Sequence, residues 1–215
     1  MTYRKPIIAA LGLIAVAGLA GAWAQQRESN ASTDRNADRK QAKVGERAPD
    51  FTLLDHTGKR FKLSDYKDKI VVLEWVNQEC PWSRKVVPDV QKLTAKFAEK
   101  PDVVFLGVES THHRKPAEND RYVREVKFPY PILMDVDGKV GRLYGARTTP
   151  HMYVIAKGKL VYAGAIHNNQ RGQTKASDVR NYVDEALTAL LAGKKVPLAE
   201  TTPWGCSVKY RKEKK

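Results

Sequence analysis

The spacing of apolar positions changes several times along this chain, and each change marks an element. Residues 70–76, IVVLEWV, are a β-branched run carrying one charge, Glu74, and predict a buried strand. From Cys80 onward Val86, Val90, Leu93 and Phe97 recur at helical spacing, so a helix is expected to about Lys100, kinked at Pro88. DVVFLGVES (102–110) predicts a second buried strand, PAENDRYVREV (116–126) a helix, YPILMD (130–135) a short strand and GKVGRLYG (138–145) a short helix. PHMYVIAKGKLVYAGAI (150–166) has the pattern of a hairpin turning at Lys157-Gly158-Lys159. The last amphipathic stretch, 177–195, predicts a helix with Ser177 as N-cap and Gly193 as its stop. Upstream, short apolar alternations around His56-Thr57-Gly58-Lys59 predict another hairpin. Strands alternating with helices, then a closing hairpin and helix, define an α/β fold: a central mixed β-sheet flanked by helices.

The ends of the chain obey other rules. MTYRK is basic, residues 6–21 are apolar, and Ala22-Trp23-Ala24 puts small residues where a signal peptidase would cut. Residues 1–24 therefore have the pattern of a signal peptide, with an uncleaved anchor as the alternative, since about 18 apolar residues are the lower limit for a spanning helix. Residues 25–43 lack large apolar side chains and have the composition of a disordered linker. The domain is expected over 44–200, followed by an extension, 201–215, that carries Cys206 and a basic tail. Export delivers the body to a compartment where disulfides persist, soluble and without stable membrane insertion after cleavage.

Charge changes the picture little. The net charge is +14, but residues 4–5, 25–43 and 208–215 contribute +2, +2 and +4 of it. Charge runs at chain ends are solvated tails far more often than binding sites, and no aromatic-interleaved basic motif points to nucleic acid.

Chemistry concentrates at Cys80, where a buried strand gives way to a helix. Backbone amides at that turn favour a thiolate, Pro81 suits the first helical turn, and Arg84 and Lys85 add positive charge. The bland alternative is an inert cysteine used as a small hydrophobe. Cys206 is the only other cysteine, 126 residues away.

The motif GERAPDFTLLDHTGKRFKLSDYKDKIVVLEW, the ECPWS turn, Pro88, ARTTPHMYVIAKGKLVYAGAI and ETTPWGCSVKY stand in one order. Together they resemble the thioredoxin-fold redoxins, and more narrowly the exported peroxiredoxin-like, AhpC/TSA-related group, over roughly residues 44–210. The resemblance implies a cis peptide at Thr149-Pro150 facing Cys80. It also implies a groove shaped by Pro150, an apolar lip from Trp82, and a buried acid, Glu74, near the sulfur. Such an acid would have a raised pKa and could move a proton during thiol exchange; the alternative places Glu74 on a solvated edge.

Departures from the family pattern bear on mechanism. Ser83 stands where thioredoxins carry their second cysteine, so no disulfide can close within the helix turn. Asn77 stands where peroxiredoxins place Thr or Ser, and Arg147 is only a displaced counterpart of their arginine. The expected activity is thiol-disulfide exchange, with Cys80 as nucleophile and Cys206 as resolving cysteine. The alternatives are a thiol-dependent peroxidase, and a non-catalytic binding module stapled by a Cys80–Cys206 disulfide. The implied partners are a protein or small-molecule thiol, disulfide or peroxide substrate and an external reductant. His112, His113 and His167 could suggest copper, but the second cysteine of such sites is missing. They are expected to be surface-loop histidines, with no metal and no cofactor.

Overall fold

The computed structural model describes residues 41–212; the expected signal peptide and nearly all of the linker lie outside them. In chain order the elements are β1 (Thr52–Leu54), β2 (Arg60–Lys62), β3 (Ile70–Trp75), α1 (Pro81–Lys85), α2 (Val87–Lys96), β4 (Val103–Glu109), α3 (Pro116–Val126), β5 (Ile132–Met134) and α4 (Lys139–Tyr144). They continue with β6 (Thr148–Thr149), β7 (His151–Ala156), β8 (Lys159–Gly164), α5 (Tyr182–Leu191) and β9 (Cys206–Ser207).

Five strands form the central sheet in the order β5-β4-β3-β7-β8. β3 pairs in parallel with β4 and antiparallel with β7, so it is the middle strand and the sheet is mixed. Its residues alternate between two cores, as the two-residue period of a strand requires. Val72 joins Val90, Leu93 and Leu187 on the face covered by α2 and α5, while Leu73 and Trp75 join Phe51, Phe61 and Tyr144 under the β1–β2 hairpin and α4. Glu74 is the exception on the first face, only 1% exposed.

Two helix expectations need correction. The helix after Cys80 breaks at Val86 into α1 and α2 and ends at Lys96. Pro88 sits at the start of α2, where its missing N–H costs no ladder bond. The last helix starts at Tyr182 instead of Ser177, because the Asn181 side chain accepts from the Asp184 N–H at 3.0 Å and caps it there. Ser177 lies in a separate short 3-10 turn, Ala176–Asp178.

Residues 199–211 run back across the domain. Ala199 accepts from Ala163 N–H, and Thr201 N–H donates to Ala163. Cys206 and Ser207 then pair antiparallel with Thr149 and Thr148. Tyr210 ends the run over Gly138 and Gly141, its hydroxyl donating to Ala146 O at 2.8 Å. Glycine is required there, since a Cβ at Gly138 would lie 2.6 Å from the Tyr210 ring. This part of the basic end is docked, contrary to a wholly solvated tail.

Candidate active site

Strand β3 ends at Trp75 and the chain turns through residues 76–79 to place Cys80 as the N-cap of α1. Asn77 braces this turn, its side-chain oxygen accepting from Glu79 N–H at 2.8 Å. Ser83 braces it from the helix, accepting from Asn77 N–H at 3.2 Å while 2% exposed. The residue standing in place of a second cysteine thus holds the loop that carries the first.

Cys80 is 2% exposed, and its thiol donates to Thr149 O at 3.0 Å. The Thr149–Pro150 peptide is cis, as the resemblance implied. Across the β6–β9 ladder Thr149 faces Cys206, which brings the two cysteines together despite their separation in sequence. Both are free thiols, close enough for each to shift the other's acidity. Burial pushes the Cys80 pKa up, but the Cys206 thiol and the backbone N–H groups of Ser83 and Cys206 favour the thiolate, and the pKa is held below the ordinary value. Burial raises Cys206, and so does its place as donor beside a developing charge on Cys80. The asymmetry makes Cys80 the more acidic of the two thiols.

Trp82 packs edge-on against Trp204, ring centroids 6.0 Å apart, with Lys85 over its face. Trp204 in turn stacks on His167 at 5.2 Å and donates to its carbonyl. His167 is therefore a correction: it is 6% exposed, with Nε2 3.4 Å from Asp89, while His112 and His113 are surface residues. Among the described residues no cluster of metal-ligating side chains occurs.

Glu74 lies beneath this turn with Oε1 unpartnered and Oε2 accepting from the Tyr130 hydroxyl. Burial drives its pKa up to about 8, partly opposed by that donation. Among the described residues no hydrogen bond joins it to either sulfur. Its charge and those of Arg84, Glu109 and Cys80 all act on the Tyr122 hydroxyl, so the acid and the thiol share one electrostatic neighbourhood.

Sequence reasoning missed a buried cation. Arg114, 6% exposed, reaches Glu79 at 2.9 Å and Glu109 at 3.8 Å, pinning the residue before Cys80 to the end of β4. Nothing in a lone arginine of a polar loop announces this. Arg147, the displaced candidate for binding a peroxide, is exposed.

A cysteine at the turn after the central strand, faced by a cis-proline loop on a mixed sheet, defines the thioredoxin-like class of thiol oxidoreductases. The comparisons narrow it. A model of the AhpC/TSA family matches residues 44–163, more than half of the chain, and the chain belongs to that family. It is 28% identical over 119 residues to a thiol-disulfide oxidoreductase ResA of Bacillus thuringiensis, covering 55% of this chain and 67% of that protein. Among solved structures it is similar to an uncharacterized conserved protein from Geobacillus kaustophilus, with TM-score 0.72 and 26% identity, covering 80% of this chain and 94% of that one. It is also similar to the thioredoxin domain of a thiol-disulfide oxidoreductase from Bacteroides vulgatus, with TM-score 0.51 and 26% identity over 57% of this chain and 89% of that one.

Proposed function

We propose that the chain is an exported thiol-disulfide oxidoreductase in which Cys80 attacks and Cys206 resolves. Residues 1–24 would be the leader, 25–43 a linker, 44–200 the redox domain and 201–215 an extension that brings the second thiol. The observation that carries this reading is the β6–β9 ladder, which sets Cys206 opposite Thr149, the residue whose carbonyl accepts from the Cys80 thiol at 3.0 Å.

The chemistry follows from the donors. The Cys80 thiolate attacks one sulfur of a disulfide, a Cys80–substrate bond forms, and the other sulfur leaves as a thiolate. The Cys206 thiol gives up its proton and attacks the Cys80 sulfur, releasing the second substrate thiol and leaving a Cys80–Cys206 disulfide. An external reductant restores both thiols. Trp82 forms the apolar lip, and Thr149 and Pro150 the backbone wall beside the sulfur. Glu74 acts at a distance, holding a proton in the buried layer under the turn at neutral pH.

Peroxide chemistry is less well supported. Asn77 is committed to the turn, and Arg147 is exposed. The test compares oxidation of reduced protein by 2-hydroxyethyl disulfide and by hydrogen peroxide, for wild type and Cys80→Ser. Rapid thiol-dependent reaction with the disulfide, lost in Cys80→Ser, is expected. Slow reaction with the disulfide and rapid reaction with peroxide would move the protein to the peroxidase reading. Export is tested separately by the intact mass of the secreted chain, expected to begin at Gln25.

A further inference from the structure

An extended polypeptide presenting a disulfide to Cys80 needs somewhere to lie. Strand addition supplies this in general: the incoming backbone pairs with an open edge, and its reactive side chain is thereby delivered. The edge beside Cys80 is β6, and it is already paired with β9, Thr148 with Ser207 and Thr149 with Cys206. Gly205 lies so close to this edge that a Cβ there would meet the Thr149 carbonyl carbon at 2.7 Å and Pro150 Cδ at 3.1 Å.

The segment is fastened on both sides of the ladder. Before it, Thr201 Oγ1 bonds the Tyr162 hydroxyl at 2.7 Å and accepts from Ala165 N–H at 2.9 Å, and Trp204 closes against Trp82. After it, Val208 N–H donates to Arg147 O at 3.1 Å, and Lys209 O accepts from His112 N–H at 3.0 Å. Tyr210 then docks under the Arg142 guanidinium, 4.7 Å from its ring centroid. Cys80 is left 2% exposed.

We propose that residues 199–211 are a built-in strap that reserves Cys80 for low-molecular-weight disulfides and excludes polypeptide disulfides. This rests on the reading of Cys80 as the attacking thiol. A small disulfide RSSR needs room for two sulfurs past the Trp82–Trp204 pair and no backbone edge. Attack yields Cys80–S–SR and RS⁻; Cys206 then displaces the second RS⁻ and its proton is taken up by that thiolate. Two protein thiols are oxidised to one disulfide, and RSSR is reduced to two RSH. Both steps leave the strap in place, because the resolving sulfur is part of it.

The experiment measures single-turnover oxidation of the fully reduced full-length chain by 2-hydroxyethyl disulfide and by insulin. Wild type is compared with Tyr210→Ala and with a chain ending at Ser207. Both variants keep Cys206 and loosen the strap at its far anchor, so one remains informative if the other fails to fold. The small disulfide should react at rates within about twofold in all three proteins, and insulin should gain about tenfold or more in the loosened variants, the size of a modest population shift. Wild type oxidised by insulin as fast as the folded variants would overturn the strap and leave exchange at Cys80 standing. No oxidation by 2-hydroxyethyl disulfide in any of them would overturn the exchange reading itself, and the strap's role with it.

Discussion

Thr149 and Cys206 are partners across a two-residue antiparallel ladder, and the same Thr149 carbonyl accepts from the Cys80 thiol at 3.0 Å. One backbone residue therefore touches both cysteines. This makes the pairing a property of sheet register, and a register shift of one residue would turn the Cys206 side chain to the opposite face.

The first prediction concerns Cys80 acidity. Its thiolate is held by donors of which the Cys206 thiol is one. Alkylation against pH should follow a midpoint below the free-cysteine value of about 8.5. Cys206→Ala should move that midpoint upward, because a donor is lost and burial is kept. An unmoved midpoint would detach Cys206 from the nucleophile's electrostatics.

Trapping separates resolving from structural roles. Cys206→Ser should accumulate a mixed disulfide at Cys80 that wild type does not, and Cys80→Ser should form none. A static bridge closing so long a loop would instead contribute up to ~5 kcal/mol in the chain-entropy view, and both serine variants would then melt alike and lower. Mass spectrometry of the adduct and thermal melts together decide between them.

Glu74 carries a stability signature with a definite sign. Its folded pKa of about 8 lies above its unfolded value of 4.5, so the folded state binds the extra proton between them. Stability contributed by this group is complete below about pH 4.5 and declines as pH rises through 8, with a limiting slope of about 1.4 kcal/mol per pH unit. Glu74→Gln should flatten that decline and slow exchange at neutral pH. Urea melts from pH 5 to 9 check the first expectation and exchange rates the second; identical slopes would place Glu74 in contact with solvent.

Close approach at Gly205 predicts a contrast between two glycines. Gly205 and Gly58 both have positive φ, 139° and 90°, but only Gly205 has neighbours where a Cβ would go. Gly58→Ala should lose about 1 kcal/mol through backbone conformation alone. Gly205→Ala should lose several kcal/mol, or expel β9 and slow disulfide closure, since overpacking adds about 1–3 kcal/mol. Equal losses would mean the ladder tolerates displacement.

Much of this was legible in the sequence because it is local. The β-branched run at 70–76, the Lys157-Gly158-Lys159 turn and the Cys80-Pro81 junction are patterns within a few residues, and each lies where the pattern put it. The exposed-loop reading of His167 failed because its burial comes from Trp204 and Asp89, far off in the chain. Ser177 and Asn181 are both good caps by chemistry, and the choice between them falls to the contact of residue 181 with His167 across a β-bridge. Arg114 and Tyr210 have no local signal, since an acid pair and a glycine cradle define them from separate elements.

The central claim is that Cys80 and Cys206 are one redox couple, and peptide mapping after oxidation tests it most directly. Reduced protein would be oxidised with a stoichiometric amount of 2-hydroxyethyl disulfide, alkylated, digested without reductant and sequenced by mass. A single cross-linked peptide joining Cys80 to Cys206 is expected, with both thiols closed to alkylation and no retained hydroxyethyl adduct. A stable adduct on Cys80 beside an alkylated Cys206 in the folded protein would contradict it.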